Sequence, residues 1–96
     1  PVASAAQLAL AVRPNPFTRA GRVEFSVERA GPARLAVLDV AGREVAVLVE
    51  GRVPLGRNTV EWNGRDGTGR RLAAGVYFFR LQQDGRARTQ KGVLLR

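Results

Sequence analysis

Short apolar stretches alternate with turn-forming residues roughly every ten positions along the 96-residue chain, a rhythm that restricts it to an all-β fold of several short strands. The clearest case is Val23 to Val27, where Val23, Phe25 and Val27 face one way and Glu24, Ser26 and Glu28 the other. That is the two-residue period of a half-buried strand. Leu8, Leu10 and Val12 alternate in the same way. Their strand ends at Arg13-Pro14-Asn15-Pro16 because two prolines cannot continue a ladder.

Further along, Ala30-Gly31-Pro32 supplies a turn into Arg34 to Val40, apolar on both faces, with Leu35, Val37 and Asp39 on one side and Ala36, Leu38 and Val40 on the other. A strand apolar on both faces belongs in the middle of its sheet. Ala41-Gly42-Arg43 then turns the chain into Glu44 to Glu50, predicting a hairpin. Arg52 to Gly56 reads as a loop, and Asn58 to Trp62 as a strand. Asn63 to Gly75 carries four glycines and is the longest irregular connection. Gly75 to Gln82 alternates Val76, Phe78 and Arg80 against Tyr77, Phe79 and Leu81. Polar Gln83-Asp84-Gly85 reads as a tight Asp-Gly turn into the last strand, Arg86 to Arg96. The pattern predicts seven strands, no helix and no internal repeat.

One core suffices for this length. The chain lacks Cys and His, which removes disulfides, the usual zinc ligands and the commonest general base. Its acids are scattered over turns and outward strand positions, with no paired carboxylates, so an enzyme is not expected. No apolar run approaches the roughly 20 residues of a membrane helix. Pro1 to Gln7 has linker composition, and residues 8–96 form the expected domain. The net charge of +8 is uneven: residues 1–64 hold eight Arg against six acids, whereas 65–96 hold seven Arg and Lys91 against Asp66 and Asp84.

Five sequence pieces occur in an order that resembles a known family: Asn15-Pro16-Phe17; Val37-Leu38-Asp39 with Gly42-Arg43; Trp62-Asn63-Gly64-Arg65-Asp66 with Gly69; Gly75-Val76-Tyr77 with Arg80-Leu81; and Lys91-Gly92-Val93-Leu94-Leu95. They resemble the C-terminal type A sorting domain of bacterial type IX secretion substrates and are similar to the immunoglobulin-like domain of the flagellar hook-capping protein. The resemblance implies a seven-stranded antiparallel β-sandwich of immunoglobulin-like or fibronectin III-like form. It further implies a module at the C-terminal end of a larger exported protein, reaching the cell surface through the periplasm. Its expected partners are the outer-membrane translocon, a sorting peptidase acting near Pro1 to Gln7, and a passenger domain N-terminal in the same chain. Lys91, Gly92, Val93, Leu94, Leu95 and Arg96 are the residues expected to be read by the translocon. The family's lysine-rich tail is reduced here to Lys91 among arginines.

Each motif also has a purely structural reading. Asn15-Pro16-Phe17 suits an extended turn with Phe17 plugging the edge of the core. Trp62, the only Trp, suits a core lid better than a sugar platform. Asn63, Asp66 and Thr68 offer too few oxygens for calcium, and capping of turns through the Asn63 and Asp66 side chains is the expectation. Gly64, Gly67 and Gly69 lack the helix and the lysine of a phosphate loop. The basic C-terminal third suits a solvated face, or one meeting anionic lipopolysaccharide or an acidic translocon surface, better than nucleic acid. No cofactor or metal is expected. A structural or adhesive domain with no sorting role is the second reading.

Overall fold

The computed structural model describes residues 7–95. The greater part of the expected linker, residues 1–6, and the terminal Arg96 lie outside them. Eight strands are present among the described residues: β1 (Ala9–Arg13), β2 (Phe17–Thr18), β3 (Gly21–Ser26), β4 (Gly31–Leu38), β5 (Glu44–Val53), β6 (Arg57–Trp62), β7 (Gly75–Gln83) and β8 (Arg86–Leu95). They form a three-stranded sheet in the order β1-β3-β6 and a five-stranded sheet in the order β2-β8-β7-β4-β5. The two sheets meet across one apolar core. Its largest fully buried side chains are Trp62 and Val23 from the first sheet and Phe17, Phe79, Leu35, Leu81 and Leu94 from the second.

The alternation read from the sequence holds where it was cleanest. Val23, Phe25 and Val27 are buried, and so are Tyr77, Phe79 and Leu81. Leu35, Ala36, Val37 and Leu38 are all buried, as a strand flanked by β5 and β7 requires. Asp84 (φ 53°) and Gly85 (φ 79°) both take left-handed backbone in the two-residue turn between β7 and β8, the geometry that matches strand twist in a tight hairpin.

Three expectations are corrected. Eight strands form where the pattern gives seven, because Phe17 and Thr18 pair with Leu94 and Leu95. Two residues are too few to show a period, and their ladder is parallel, so the pairing is not antiparallel throughout. Asp39 lies just beyond β4 and turns the chain instead of continuing a strand face. The expected loop at Arg52 and the expected turn at Pro32 are instead paired, Pro32 opposite Arg52 and Gly31 opposite Val53. β7 pairs with β4 only between Arg34 and Leu38, so Pro32 has one strand neighbour and its missing N–H interrupts no second ladder.

β5 is the outer strand of the larger sheet, and its register against β4 slips twice, passing over Leu48 and Val45. Such bulges twist an edge away from further strand pairing.

Candidate functional site

The Lys91–Leu95 stretch of β8 is built into the fold. Its register with β7 sets Gly92 opposite Tyr77 and Leu94 opposite Gly75, so Gly92 and Leu94 face the core and are buried. Lys91, Val93 and Leu95 face outward, with Lys91 and Leu95 exposed and Val93 half-buried. Of the residues expected to be read by a translocon, only these three present side chains at the surface among the described residues.

Asn15 holds the same stretch from the other side. Its Nδ2 donates to the Lys91 carbonyl at 3.0 Å, and its Oδ1 accepts from the Val93 amide at 3.0 Å. A side-chain amide thereby does for β8 what the next strand of a ladder would do. Pro16 is exposed beside it, and Phe17 then enters the core at 1% exposure. The Phe17 ring meets Trp62 edge-on at 6.0 Å and Phe79 at 6.5 Å, while Trp62 lies 5.1 Å from Tyr77 and 5.6 Å from Phe79. Edge-to-face spacing of this kind is favourable beyond the area buried. Trp62 Nε1 donates to the Arg65 carbonyl at 2.9 Å, and Tyr77 Oη donates to the Ala73 carbonyl at 2.7 Å, so both polar tips are satisfied.

Three glycines lie tight against this cluster, among them Gly21, whose Cβ would stand 3.0 Å from Phe17 Cδ2. A Cβ on Gly92 would stand 2.6 Å from Phe79 Cε1, and one on Gly64 would stand 3.3 Å from Leu94 Cδ2. The pieces Asn15 to Phe17, Trp62 to Gly64, Gly75 to Tyr77 and Lys91 to Leu95, separated in sequence, are thus brought together around one aromatic group and the last strand.

The remaining pieces form two turns of one design. Asp39 Oδ1 accepts from the amides of Ala41 (2.9 Å) and Arg43 (3.0 Å). Asp66 Oδ1 accepts from the amides of Thr68 (2.9 Å) and Arg70 (3.0 Å), and from the Thr68 hydroxyl at 2.6 Å. In both, the fourth residue is a glycine with left-handed backbone, Gly42 at φ 85° and Gly69 at φ 91°, a region that costs glycine nothing. The backbone amide of Arg43 holds the Asp39 carboxyl below its ordinary pKa, and the Thr68 hydroxyl does the same for Asp66. Asn63 likewise accepts from the Arg65 amide at 3.0 Å. The donors around Asp66 Oδ1 give the carboxylate a turn-capping part. The two turns are neighbours, since the Gly67 amide donates to the Val45 carbonyl at 3.0 Å. Their shared Asp-x-x-Gly-Arg spacing is visible in the sequence, at Asp39 to Arg43 and Asp66 to Arg70, and is the signal that could have paired them.

Gln83 was missed. It is buried at 2% exposure, and its amide accepts from the Glu28 and Arg29 amides (2.9 and 3.3 Å) and donates to the carbonyls of Arg29 (2.9 Å) and Pro32 (3.4 Å). Continuing the alternation Tyr77, Phe79, Leu81 by one step places it inward; its polarity assigned it to the turn instead.

A family model, the FlgD Ig-like domain, matches residues 15–86. The chain belongs to the FlgD Ig-like domain family. The FlgD Ig-like match starts at Asn15 and stops at the first residue of β8, leaving the rest of that strand outside it. Two solved structures from Porphyromonas gingivalis are similar to the chain. One is PorU, described as dimeric and latent, with a TM-score of 0.75 and 14% identity, covering 97% of this chain and 10% of that one. The other is PorZ, described as an essential surface component of the type-IX secretion system, with a TM-score of 0.61 and 20% identity, covering 91% of this chain and 11% of that one. At such identities the likeness is one of fold, and the chain spans about a tenth of either protein. No curated protein matches it.

Proposed function

We propose that this FlgD Ig-like domain is a non-catalytic sorting and surface-attachment module of a larger exported bacterial protein, read by the type IX outer-membrane translocon. In this reading its two sheets are the layers of an immunoglobulin-like β-sandwich. A passenger precedes it in the same chain, a separate peptidase acts near Pro1 to Gln7, and the destination is the outer-membrane surface or the medium, with anionic lipopolysaccharide as a further contact for the basic C-terminal third.

The observation that carries the reading is the pair of bonds from Asn15 to Lys91 and Val93. The first and last of the five family-like pieces are joined directly, so the segment expected to be read is held in one shape by the segment that opens the FlgD Ig-like match. The fold likeness to a part of PorZ, a type-IX surface component, supports the same reading.

Fusing the chain behind an exported reporter in a type IX-competent host tests it. The reporter is expected on the cell surface, and no more surface reporter than the unfused control would refute sorting. Deleting Lys91 to Arg96 is a poor control, since it removes the core residue Leu94 and would unfold the domain. Point changes at outward positions separate signal from stability.

A further inference from the structure

The outer face of the five-stranded sheet falls into two halves that differ in how their charges are satisfied. On one half Arg34 of β4 binds both carboxylate oxygens of Glu44, with Nη2 to Oε1 at 2.7 Å, and donates from Nε to Glu50 at 3.1 Å. Arg80 approaches Glu44 at 3.8 Å. Arg34, Glu44, Glu50 and Arg80 thus neutralise one another within the domain.

The other half, over β7 and β8, is different. Val76 stands directly opposite Val93, and Phe78 opposite Lys91. Val76, Phe78 and Val93 are half-buried, with no described strand packed over them, and Leu95 is 45% exposed at the end of the row. Lys91 rises from this apolar patch, and among the described residues it forms no ion pair. An apolar surface around one unpaired cation is complementary to an apolar partner surface carrying a carboxylate.

The backbone of the same stretch is closed. Asn15 occupies the Lys91 carbonyl and the Val93 amide, and β2 pairs with Leu94 and Leu95 beyond them. A partner strand cannot add to this part of the edge without displacing Asn15 and β2, which rules against the main-chain mode of peptide recognition. What remains to be read is the side-chain row.

We infer that the protein reading this domain docks face-on over Lys91, Val93, Leu95, Val76 and Phe78, seating an apolar surface on the valines and Phe78 and a carboxylate on Lys91, with no strand added to β8. The inference rests on the sorting reading above and specifies its surface.

The test uses the reporter fusion with Lys91→Glu and Leu95→Ser together, both at exposed positions, and Arg57→Glu on the opposite sheet as the control. Folding of each variant is checked by its thermal midpoint. Surface reporter is expected to fall about tenfold or more for the double variant, since like charges brought together across an interface cost several kcal/mol and each 1.4 kcal/mol is tenfold. Lys91→Arg and Arg57→Glu should display as the wild type does. Undiminished display of a folded Lys91→Glu/Leu95→Ser variant overturns the inference while leaving sorting intact. A wild-type fusion that is never displayed sinks the sorting reading, and the docking face with it. Increased display on opening the edge with Asn15→Ala overturns the face-on mode in favour of strand addition. A wild-type dimer in sedimentation that the double variant dissociates assigns the face to a second copy, and that too overturns the inference.

Discussion

Gly92→Ala tests whether the last strand is shaped by the aromatic cluster beneath it. The added Cβ would lie 2.6 Å from Phe79 Cε1, about 0.8 Å inside the ordinary 3.4 Å limit. The ring cannot swing aside, because Phe79 is fully buried with Trp62 at 5.6 Å on one side and Phe17 at 6.5 Å on the other. Overpacking of this kind costs about 1–3 kcal/mol. Alanine restricts the unfolded chain more than glycine, which offsets about 0.4–1 kcal/mol. The net expectation is a loss of about 1–2 kcal/mol, lowering the thermal midpoint by about 5–15 °C for a domain of this size. Urea unfolding followed by Trp62 fluorescence measures it, since that indole is 1% exposed when folded. Gly67→Ala is the control: nothing lies within 4 Å of its Cβ position and its backbone is not left-handed, so it should be neutral or slightly stabilising. The companion Phe79→Leu, itself destabilising, should cost less in the Gly92→Ala background than alone. A Gly92→Ala protein as stable as the wild type, or costs that simply add, would refute the steric account.

Three further outcomes follow from the same contacts. Asn15→Ala should lose about 1–2 kcal/mol for two hydrogen bonds and speed hydrogen exchange at the Val93 amide, whereas Asn15→Asp, which keeps the acceptor, should protect that amide; equal exchange in all three proteins would contradict the clamp. Gln83→Leu should cost about 2–4 kcal/mol by stranding the amides and carbonyls that Gln83 now satisfies, and a stability within error of the wild type in urea would show that water or repacking replaces it. Asp39 and Asp66 are lowered by donors in their turns, Asp84 by the Arg29 guanidinium and Glu44 by Arg34. Folded values below unfolded ones give stability that is present above the ordinary carboxylate range, about 3.9 to 4.3, and lost as pH falls through the folded values. The urea midpoint should therefore hold from about pH 7 to 5 and decline below about pH 4, less steeply in Asp66→Asn, and a midpoint unchanged down to about pH 2.5 would disprove it.

How much of this was legible depended on whether a residue's role is local. Val23 to Val27 and Tyr77 to Leu81 declare their faces because burial and period coincide over several residues, and the Asp84-Gly85 turn declares itself by residue type. Asp66 is legible as a turn cap for the same reason, its partners lying two and four residues away; the partners of Asp39 are as near, but the alternation of β4 carries the expected strand face past it and hides the cap. Asn15, β2 and Gly92 are not local. Their partners are 76 to 78 residues distant, or on a neighbouring strand, and no period or turn rule reaches that far. Family-like order nominated Asn15 and Gly92 without saying what they touch. The contacts supply the physical content: Asn15 closes the edge of β8, Gly92 lets its backbone settle on Phe79, and Leu94 anchors it in the core. Two of the tail's residues, Gly92 and Leu94, are thus spent on holding its shape, and any specificity in the described tail must rest on Lys91, Val93 and Leu95. In the sorting reading proposed above, a tail built this way is presented only when the domain is folded, so variants that unfold the core, such as Gly92→Ala combined with Gln83→Leu, should abolish display even with every outward residue of β8 intact.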